Sequence, residues 1–377
     1  MRITYLCNEY PPASHGGIGT FLHTMARAMA DAGNDVTVAG IGNTSDERRS
    51  EGVRVITLAR SHLHRGYGMV DRWRLYHWLR RDVPEQRTQM IETPEFEGFL
   101  AAPFSECPVV VRIHLSATAM AASAGRPAPA SLRWYEHHLL RHHRNWIGVS
   151  RFALRLTEET FGLHPLRGRV IYLPVTLPES GPISPPPDYL LFAGTVTPRK
   201  GVYVLAEAAR RVLTESLQTH LVFAGRIPDH SAVDTIRAIA GPDVAPRIHF
   251  TGPIERACLA AYMRRARAFV FPSTLETFGL VTAEAMLAST PVVVCDCGPN
   301  PEFIHSGENG LLVPPNKPGV LADTLLHLLR SPDLAAELAE NGRRTVEREF
   351  SVDRCMLRSQ EFYREVLAAS GTRCIAN

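Results

Sequence analysis

The chain has 377 residues and a mass of 41.7 kDa, which leaves room for two or three domains, with two the better expectation. Hydrophobic residues make up 45% and charged residues 21%, which is typical of a globular protein rather than a disordered one. The net charge of +3 is too small to indicate nucleic-acid binding, so we expect no nucleic-acid partner. No apolar run approaches the ~18 residues of a membrane span.

The cysteines indicate a reducing compartment. There are 7 of them, scattered along the chain, and only Cys295 and Cys297 are close together. Their C-x-C spacing differs from the C-x-x-C of zinc and redox sites, and the histidine-rich run HHLLRHHR is more typical of a helix face than of a zinc site. The N-terminal residues predict a first β-strand rather than a secretory signal. We therefore expect reduced thiols, no metal site and a cytoplasmic location.

Short apolar runs alternate with helical patterns through the first 174 residues. The predicted strands are Arg2–Cys7, Asp35–Gly40, Val53–Ala59, Gln89–Glu92, Pro108–His114, Asn145–Ser150 and Val170–Leu173. A glycine-bearing loop and a predicted helix, Gly19–Ala32, follow the first strand. Strand–helix alternation of this kind predicts a parallel sheet covered by helices on both faces.

A proline-rich stretch divides the chain. Residues 174–188 hold six prolines without periodicity, which predicts a hinge at 175–188. The strands predicted beyond it are Tyr189–Ala193, His220–Ala224, Ile248–Thr251, Ala268–Phe271 and Pro291–Cys295. From about Lys317 the pattern is helical only.

The predicted fold is therefore α/β, with two doubly wound domains at residues 1–174 and 189–350. A C-terminal helix within residues 351–377 could return to the first domain. Ligands of such sheets bind at the carboxyl ends of the strands, which predicts a site in a central cleft that the two domains face.

The loop HGGIG follows the first strand and opens a helix. The glycines Gly16 and Gly17 would let backbone amides approach an anion, which a helix N-terminus also attracts. A plain tight turn is an equally good interpretation of this loop.

The segment TVTPRKG places Arg199 and Lys200 between a strand and the next helix. Two cations beside a helix N-terminus suit a diphosphate, because phosphate oxygens accept charge-assisted hydrogen bonds. Only two of the 41 basic residues are lysines, Lys200 and Lys317, which makes this one informative. The alternative is a solvated basic turn.

The most informative segment is FPSTLETFGLVTAEAMLASTPVV, residues 271–293. Glu276 is predicted to lie in a loop and Glu284 in a helix that begins near Phe278, with the backbone amides of Thr277–Leu280 between them. Carboxylates accept hydrogen bonds from sugar hydroxyls, and the amides suit a phosphate. The alternative is two solvated glutamates on an amphipathic helix.

This segment resembles the E-x7-E signature of the retaining GT-B glycosyltransferases of family 4 (glycosyl transferases group 1). The resemblance continues through GPNPE, HSGENG and LVPP, and extends back through FAG, RKG and a second FAG. It covers the second domain nearly end to end. In the first domain it is looser and includes NEYPP, GGIG and a strand that ends at His114.

The resemblance implies a role for each matching residue. Glu284 would bind the ribose hydroxyls, Glu276 the transferred sugar and Lys200 the diphosphate, with His114 near the donor sugar. The implied catalytic residues are His114, Lys200 and Glu276. The implied donor-binding residues are Gly16, Gly17, Thr195, Arg199, Lys200, Glu276, Thr277, Phe278, Gly279, Leu280 and Glu284. Many members have arginine where Thr195 stands, and we expect Arg199 to supply that charge.

The expected activity is retaining transfer of a sugar from a nucleoside-diphosphate sugar, with UDP the first expectation and GDP the next. The acceptor would be a hydroxyl of a glycan, a lipid-linked sugar or a small natural product, bound by the first domain. No cofactor and no metal are expected. The alternatives are a nucleotide-sugar epimerase on the same fold and a non-catalytic nucleotide-sugar binder.

The tract Arg60–Arg81 mixes arginines with aromatic residues. Such a helix could meet an anionic membrane as a peripheral contact at the inner face. We favour a solvated, partly packed helix, because the spacing makes no wide apolar face.

Overall fold

The computed structural model describes residues 1–11, 16–61, 67–100, 102–123 and 125–371. The chain divides into two compact units. Unit 1 is Met1–Pro174 together with the chain from Val352, and unit 2 is Val175–Ser351. Each unit has a largely parallel sheet with helices between its strands, so the predicted α/β fold with two such domains is confirmed.

Unit 1 contains an eight-stranded sheet with the order β3-β4-β2-β1-β5-β6-β7-β8. The strands are β1 (Arg2–Leu6), β2 (Asp35–Gly42), β3 (Asp46–Ser50), β4 (Val53–Ala59), β5 (Met90–Pro94), β6 (Val109–Ile113), β7 (Asn145–Gly148) and β8 (Arg167–Val170). All neighbours are parallel except β3, which pairs with β4 in the antiparallel sense. The helices are α1 (Gly17–Asp31), α2 (Tyr67–Glu85), α3 (Ala117–Ser123), α4 (Ala130–His142) and α5 (Arg151–Phe161).

In unit 1 one predicted strand is misplaced and one strand was not predicted. The last strand is Arg167–Val170, so the predicted strand Val170–Leu173 was wrong in its bounds. Leu173 and Ile171 are buried without forming part of a strand, and their burial explains the apolar pattern. Strand β3 was not predicted, because Asp46–Ser50 is a mostly exposed edge strand made of polar residues and has no apolar pattern.

Unit 2 contains a six-stranded parallel sheet with the order β11-β10-β9-β12-β13-β14. The strands are β9 (Tyr189–Ala193), β10 (His220–Ala224), β11 (Ile248–Gly252), β12 (Ala268–Phe271), β13 (Val292–Cys295) and β14 (Leu311–Val313). The helices are α6 (Val202–Glu215), α7 (Ser231–Ala240), α8 (Arg256–Arg265), α9 (Leu280–Leu287), α10 (Asn300–Phe303), α11 (Pro318–Arg330) and α12 (Pro332–Glu349). Two 3-10 turns occupy Pro198–Lys200 and Ala245–Arg247. This strand order is that of a doubly wound sheet.

The proline-rich segment lies against α8. The amide of Gly181 donates to the carbonyl of Ala257 at 2.9 Å, and Arg264 donates to Ser180 Oγ at 2.7 Å and to the Pro178 carbonyl at 3.0 Å. A segment held in this way belongs structurally to unit 2. Its role as a hinge stays a prediction.

The C-terminal helix α13 (Val352–Ala369) packs on the sheet of unit 1 through a buried polar network. Arg112 on β6 makes two hydrogen bonds to Glu92 on β5, at 2.7 and 3.0 Å. Tyr363 on α13 donates to the same carboxylate at 2.5 Å, and Arg112 also reaches Ser359 at 3.3 Å. Arg112 and Glu92 are 1% and 3% exposed, so water hardly reaches this charge pair. The bonds from Ser359 and Tyr363 of α13 therefore supply hydrogen-bond partners that water would otherwise provide.

Candidate active site

The sheet of unit 2 reverses its strand order between β9 and β12. At such a point the loops after the two strands diverge and leave room for a ligand. The loop after β9 leads into the 3-10 turn Pro198–Lys200, and the loop after β12 runs to Gly279. The two loops touch at Gly201, which has φ +75°, and a Cβ there would lie 2.2 Å from the Pro272 carbonyl oxygen. Only glycine allows this approach.

The structure brings Lys200 and Glu276 together, although they are 76 residues apart in the sequence. The ammonium Nζ of Lys200 donates to Glu276 Oε1 at 2.5 Å, and Ser273 Oγ donates to the same oxygen at 2.6 Å. Nζ also lies 5.1 Å from the centre of the Phe271 ring. The two side chains are 16% and 15% exposed, so a ligand can reach this ion pair. Such a ligand could take the place of Lys200 or of Glu276 as the bonding partner of the other.

Arg199 is already engaged with the neighbouring loop. Its guanidinium donates to the Leu275 carbonyl at 3.1 Å, and its own carbonyl accepts from the Thr274 amide at 3.3 Å. Thr195 is partly exposed in the loop after β9. In this structure Arg199 therefore braces the loop that carries Glu276, and its expected contribution of charge to a diphosphate stays a prediction.

The helix α9 begins at Leu280 rather than near Phe278, and Gly279 precedes it in the left-handed conformation, φ 79°. Glu276 lies in the loop and Glu284 on the helix, as the spacing predicts. The ring of Phe278 packs against Phe303 and Phe350, with centroid distances of 6.0 and 5.1 Å. The side chain of Phe278 therefore belongs to the core, and only its backbone can take part in binding.

Glu284 lies in the fifth position of α9 and is 8% exposed. Arg256, from the start of α8, donates to Glu284 Oε1 at 2.6 Å. Burial raises the pKa of Glu284, and Arg256 opposes that shift. Arg256 could not be predicted as a partner of Glu284, because nothing in its local sequence distinguishes it from the other surface arginines.

The predicted residues of unit 1 lie after the strands β1 and β6. His114 follows β6 and is 7% exposed, with its ring 5.4 Å from that of Phe21. Burial, and to a lesser extent Arg112, lowers the pKa of His114 to about 3, so its imidazole is neutral at pH 7. A neutral imidazole can donate or accept a hydrogen bond but cannot supply a positive charge.

Gly16 and Gly17 are exposed at the start of α1. The amide of Gly16 donates to the carboxylate of Glu9 at 3.0 Å, so an anionic side chain holds the amide that was expected to face a phosphate. His15, the first residue of the HGGIG loop, lies outside the described residues.

No group of three or more histidine, cysteine, aspartate or glutamate side chains in the described part of the chain is arranged to hold a metal ion. Among the same residues no helix combines the length and the apolarity that crossing a membrane requires.

Comparison with known proteins shows which family this chain matches. Residues 15–178 match the family described as Glycosyltransferase Family 4, and residues 187–331 match Glycosyl transferases group 1. Glycogen synthase from Mycobacterium tuberculosis is 27% identical over 390 residues, which cover 93% of this chain and 91% of that protein.

Solved structures agree on the fold. Sucrose-phosphate synthase from Thermosynechococcus elongatus superposes with a TM-score of 0.80 at 23% identity, over 97% of this chain and 99% of that one. HepE from Anabaena, solved with UDP and glucose, superposes with a TM-score of 0.73 at 18% identity, over 96% of this chain and 98% of that one.

Proposed function

This chain belongs to the GT-B glycosyltransferases of family 4, and on that premise we propose that it transfers a sugar from a nucleoside-diphosphate sugar to a hydroxyl acceptor with retention of anomeric configuration. The observation that carries the proposal is the Lys200–Glu276 pair at the point where the strand order of unit 2 reverses. A cation and a carboxylate at one accessible place match the two ends of such a donor, a diphosphate and a sugar.

Each charged group has a separate role in the proposal. Lys200 donates to the diphosphate and stabilises the negative charge that grows on it as the bond to the sugar breaks. Glu276, released from Lys200, accepts hydrogen bonds from hydroxyls of the transferred sugar. Glu284, held by Arg256, accepts from the ribose hydroxyls. Backbone amides of Phe278, Gly279 and Leu280 contact the sugar and the distal phosphate.

Retention is proposed to follow from attack on the same face as the leaving group. The acceptor oxygen bonds to the anomeric carbon while the bond from that carbon to the phosphate oxygen breaks. The departing phosphate accepts the proton of the acceptor hydroxyl. His114, as a neutral imidazole, hydrogen-bonds the sugar in this scheme. Lys200 stabilises the leaving group, and we propose no metal and no other cofactor.

UDP is the proposed nucleotide, with GDP next. The support is the frequency of UDP donors in the family and the neighbouring HepE structure, which holds UDP and glucose. The location proposed for the protein is the cytoplasm, in keeping with free cysteines at all six cysteine positions within the described residues.

Peripheral membrane contact stays the less favoured proposal, since much of the basic charge on α2 is already bonded within unit 1. Arg72 donates to backbone carbonyls of residues 68, 97 and 98, and Arg74 donates to the Ala59 carbonyl at 2.5 Å. Arg80 pairs with Glu106 at 2.7 Å.

The test is a panel of UDP-, GDP- and ADP-sugars with a mixed set of hydroxyl acceptors, followed by mass spectrometry and by NMR of the anomeric proton. We expect one nucleotide to raise Tm, its sugar to be transferred, and the product to keep the donor's anomeric configuration. Lys317→Ala, at the only other lysine, is the control for Lys200→Ala. Epimerisation without an acceptor, binding without turnover, or an inverted product would each overturn the proposal.

A further inference from the structure

The sheet of unit 1 also reverses its strand order, between β1 and β5. A cavity of about 520 Å³ opens beside the loops that follow these strands, with Asn8 after β1 and Glu97 after β5 among its lining residues. Its volume lies within the range of small-molecule sites. The proposed function requires a second substrate, the hydroxyl acceptor, and leaves its chemistry open.

The deep part of the cavity is apolar. Ile41, Leu75, Phe99 and Tyr135 line it, and each is less than a tenth exposed. Met69 forms part of the rim and is 51% exposed, so an apolar side chain also faces incoming ligands. A hydrocarbon or aromatic group that enters this cavity would leave water for contacts with these side chains.

Arg72, a cation in the wall, is committed to the protein. Its Nη1 donates to the Gly68 carbonyl at 2.7 Å, and its Nε donates to the carbonyls of Glu97 and Gly98 at 3.1 and 2.8 Å. The Nη2 donates to Glu97 as well. The guanidinium carbon lies 4.5 Å from the centre of the Tyr135 ring. Arg72 therefore builds the wall and joins α2 to the loop after β5.

The charges that line the cavity balance. Arg60 and Arg72 are matched by Asp71 and Glu97 among the described lining residues. A phosphorylated acceptor needs several cations with free donors. Arg72 has all three of its nitrogens engaged, so of the described lining residues only the exposed Arg60 is a cation left for a phosphate, and Asp71 and Glu97 oppose it. Uncharged and acidic side chains of the cavity can hydrogen-bond a ligand instead. Asn8 uses its Oδ1 to accept from the Ile41 amide at 2.7 Å, which leaves its amide nitrogen to donate.

Asp71 supplies an acceptor at the same place. It is 5% exposed, and its Oδ1 accepts from the Ser61 amide at 2.7 Å. A carboxylate beside apolar walls suits the hydroxyl of a substrate, which can donate to it.

We infer that the acceptor of this enzyme is an uncharged hydroxyl compound with an apolar moiety, bound with that moiety in the cavity between α2 and α4. This inference rests on the proposed function and narrows it: small glycosides, alcohols or phenols with an apolar body are acceptors, whereas phosphorylated polyols and long glucans are not. The apolar body enters among Leu75, Phe99 and Tyr135, and the hydroxyls remain at Asn8 and Asp71.

The test uses four probes below their aggregation limits: hexyl β-D-glucoside, methyl β-D-glucoside, glucose 6-phosphate and maltohexaose. Binding is measured by calorimetry, and transfer is measured with the donor that the panel above selects. We expect hexyl glucoside to bind about tenfold or more tightly than methyl glucoside, since two buried methylenes suffice for that ratio. We expect the other two probes to bind no better than methyl glucoside.

Met69→Lys should reduce the preference for hexyl over methyl glucoside at least fivefold, with the KM for the donor unchanged. The matched control is Leu357→Lys on α13, because Leu357 is 52% exposed and does not line the cavity. A preference that survives in Met69→Lys, or tightest binding by glucose 6-phosphate or maltohexaose, would overturn the inference. Loss of all transfer with hexyl glucoside still bound would overturn the proposed function alone.

Discussion

Unit 1 and unit 2 each hold a cation–carboxylate pair, and the two pairs differ in their access to water. Arg112 and Glu92 in unit 1 are 1% and 3% exposed, and they bond to each other and to Ser359 and Tyr363 of α13. Lys200 and Glu276 in unit 2 are 16% and 15% exposed and lie on loops beyond the strands. The first pair is built into the fold, and the second can be opened by a ligand.

Under the proposed function, the difference separates a structural ion pair from a ligand-binding one. Breaking a buried pair leaves an uncompensated charge in the protein, so the cost appears in stability. Breaking a partly exposed pair at a loop leaves a solvated charge, so the cost to stability is small and the effect appears in binding. Variants of the two pairs should therefore fail in different assays.

The largest effect is expected for Arg112→Met. It leaves the Glu92 carboxylate buried without its cation and should lower the free energy of unfolding by about 3–5 kcal/mol. The matched control is Arg169→Met, because Arg169 also links the sheet of unit 1 to α13, through Glu365 at 2.8 Å, but is 40% exposed. That change should cost no more than about 1 kcal/mol. If urea denaturation gives equal losses of unfolding free energy for Arg112→Met and Arg169→Met, burial does not determine how much each ion pair contributes to stability.

Lys200→Ala should reduce kcat/KM by about 10²–10³-fold, the usual effect of removing one group that stabilises developing charge. Its unfolding free energy should stay within about 1 kcal/mol of the wild type, because the pair is partly exposed. Lys317→Ala should leave both quantities unchanged. A Lys200→Ala enzyme with wild-type kcat/KM would remove Lys200 from the site.

Glu284→Gln should weaken binding of the nucleoside diphosphate by about 1.5–3 kcal/mol, the worth of a hydrogen bond to a charged group. The 2′-deoxy nucleotide tests whether Glu284 contacts the ribose hydroxyls or another part of the nucleotide. Wild-type protein should distinguish the ribose from the deoxyribose form, and Glu284→Gln should lose most of that distinction in calorimetry. If the variant discriminates as well as the wild type, the carboxylate does not bind the ribose.

The last effect is a dependence on pH and concerns Glu95, which lies after β5 and is fully buried. Burial raises the pKa of Glu95 to about 8, although the His114 amide donates to its Oε2 at 2.9 Å. A carboxyl whose pKa is raised on folding stabilises the protein below its unfolded pKa, and this contribution is lost as pH rises toward about 8.

The free energy of unfolding of the wild type, relative to Glu95→Gln, should therefore fall by at most about 1.4 kcal/mol per pH unit between pH 5 and 8. Thermal or urea unfolding of both proteins across that range measures it. A difference that does not change with pH would mean that Glu95 is ionised in the folded protein.

Apolar runs that are buried on both faces of a sheet could be predicted well. Tyr189–Ala193, His220–Ala224 and Ala268–Phe271 have the predicted bounds because each lies inside the sheet of unit 2. Asp46–Ser50 could not be found, since an exposed polar edge strand has no apolar pattern, and Leu311–Val313 is only three residues long.

The candidate site, like the fold, could be predicted from the sequence only in part. The sequence motifs, together with the family resemblance that they carry, indicated Lys200, Glu276 and Glu284, but the partners of these residues depend on the tertiary fold. The bond between Arg256 and Glu284 and the cavity of unit 1 join segments far apart in sequence, so no local pattern predicts them.

The most direct measurement is calorimetric titration with UDP, or with the diphosphate that the sugar panel selects, on the wild type, Lys200→Ala and Glu276→Gln. If the Lys200–Glu276 pair is the donor site, Lys200→Ala should weaken binding at least tenfold. Glu276→Gln should bind the diphosphate at least as tightly as the wild type, because Lys200 no longer has to break an ion pair with a carboxylate before it binds the phosphate. The rate of sugar transfer by this variant should fall. Wild-type affinity in Lys200→Ala, or undiminished transfer by Glu276→Gln, would contradict the account.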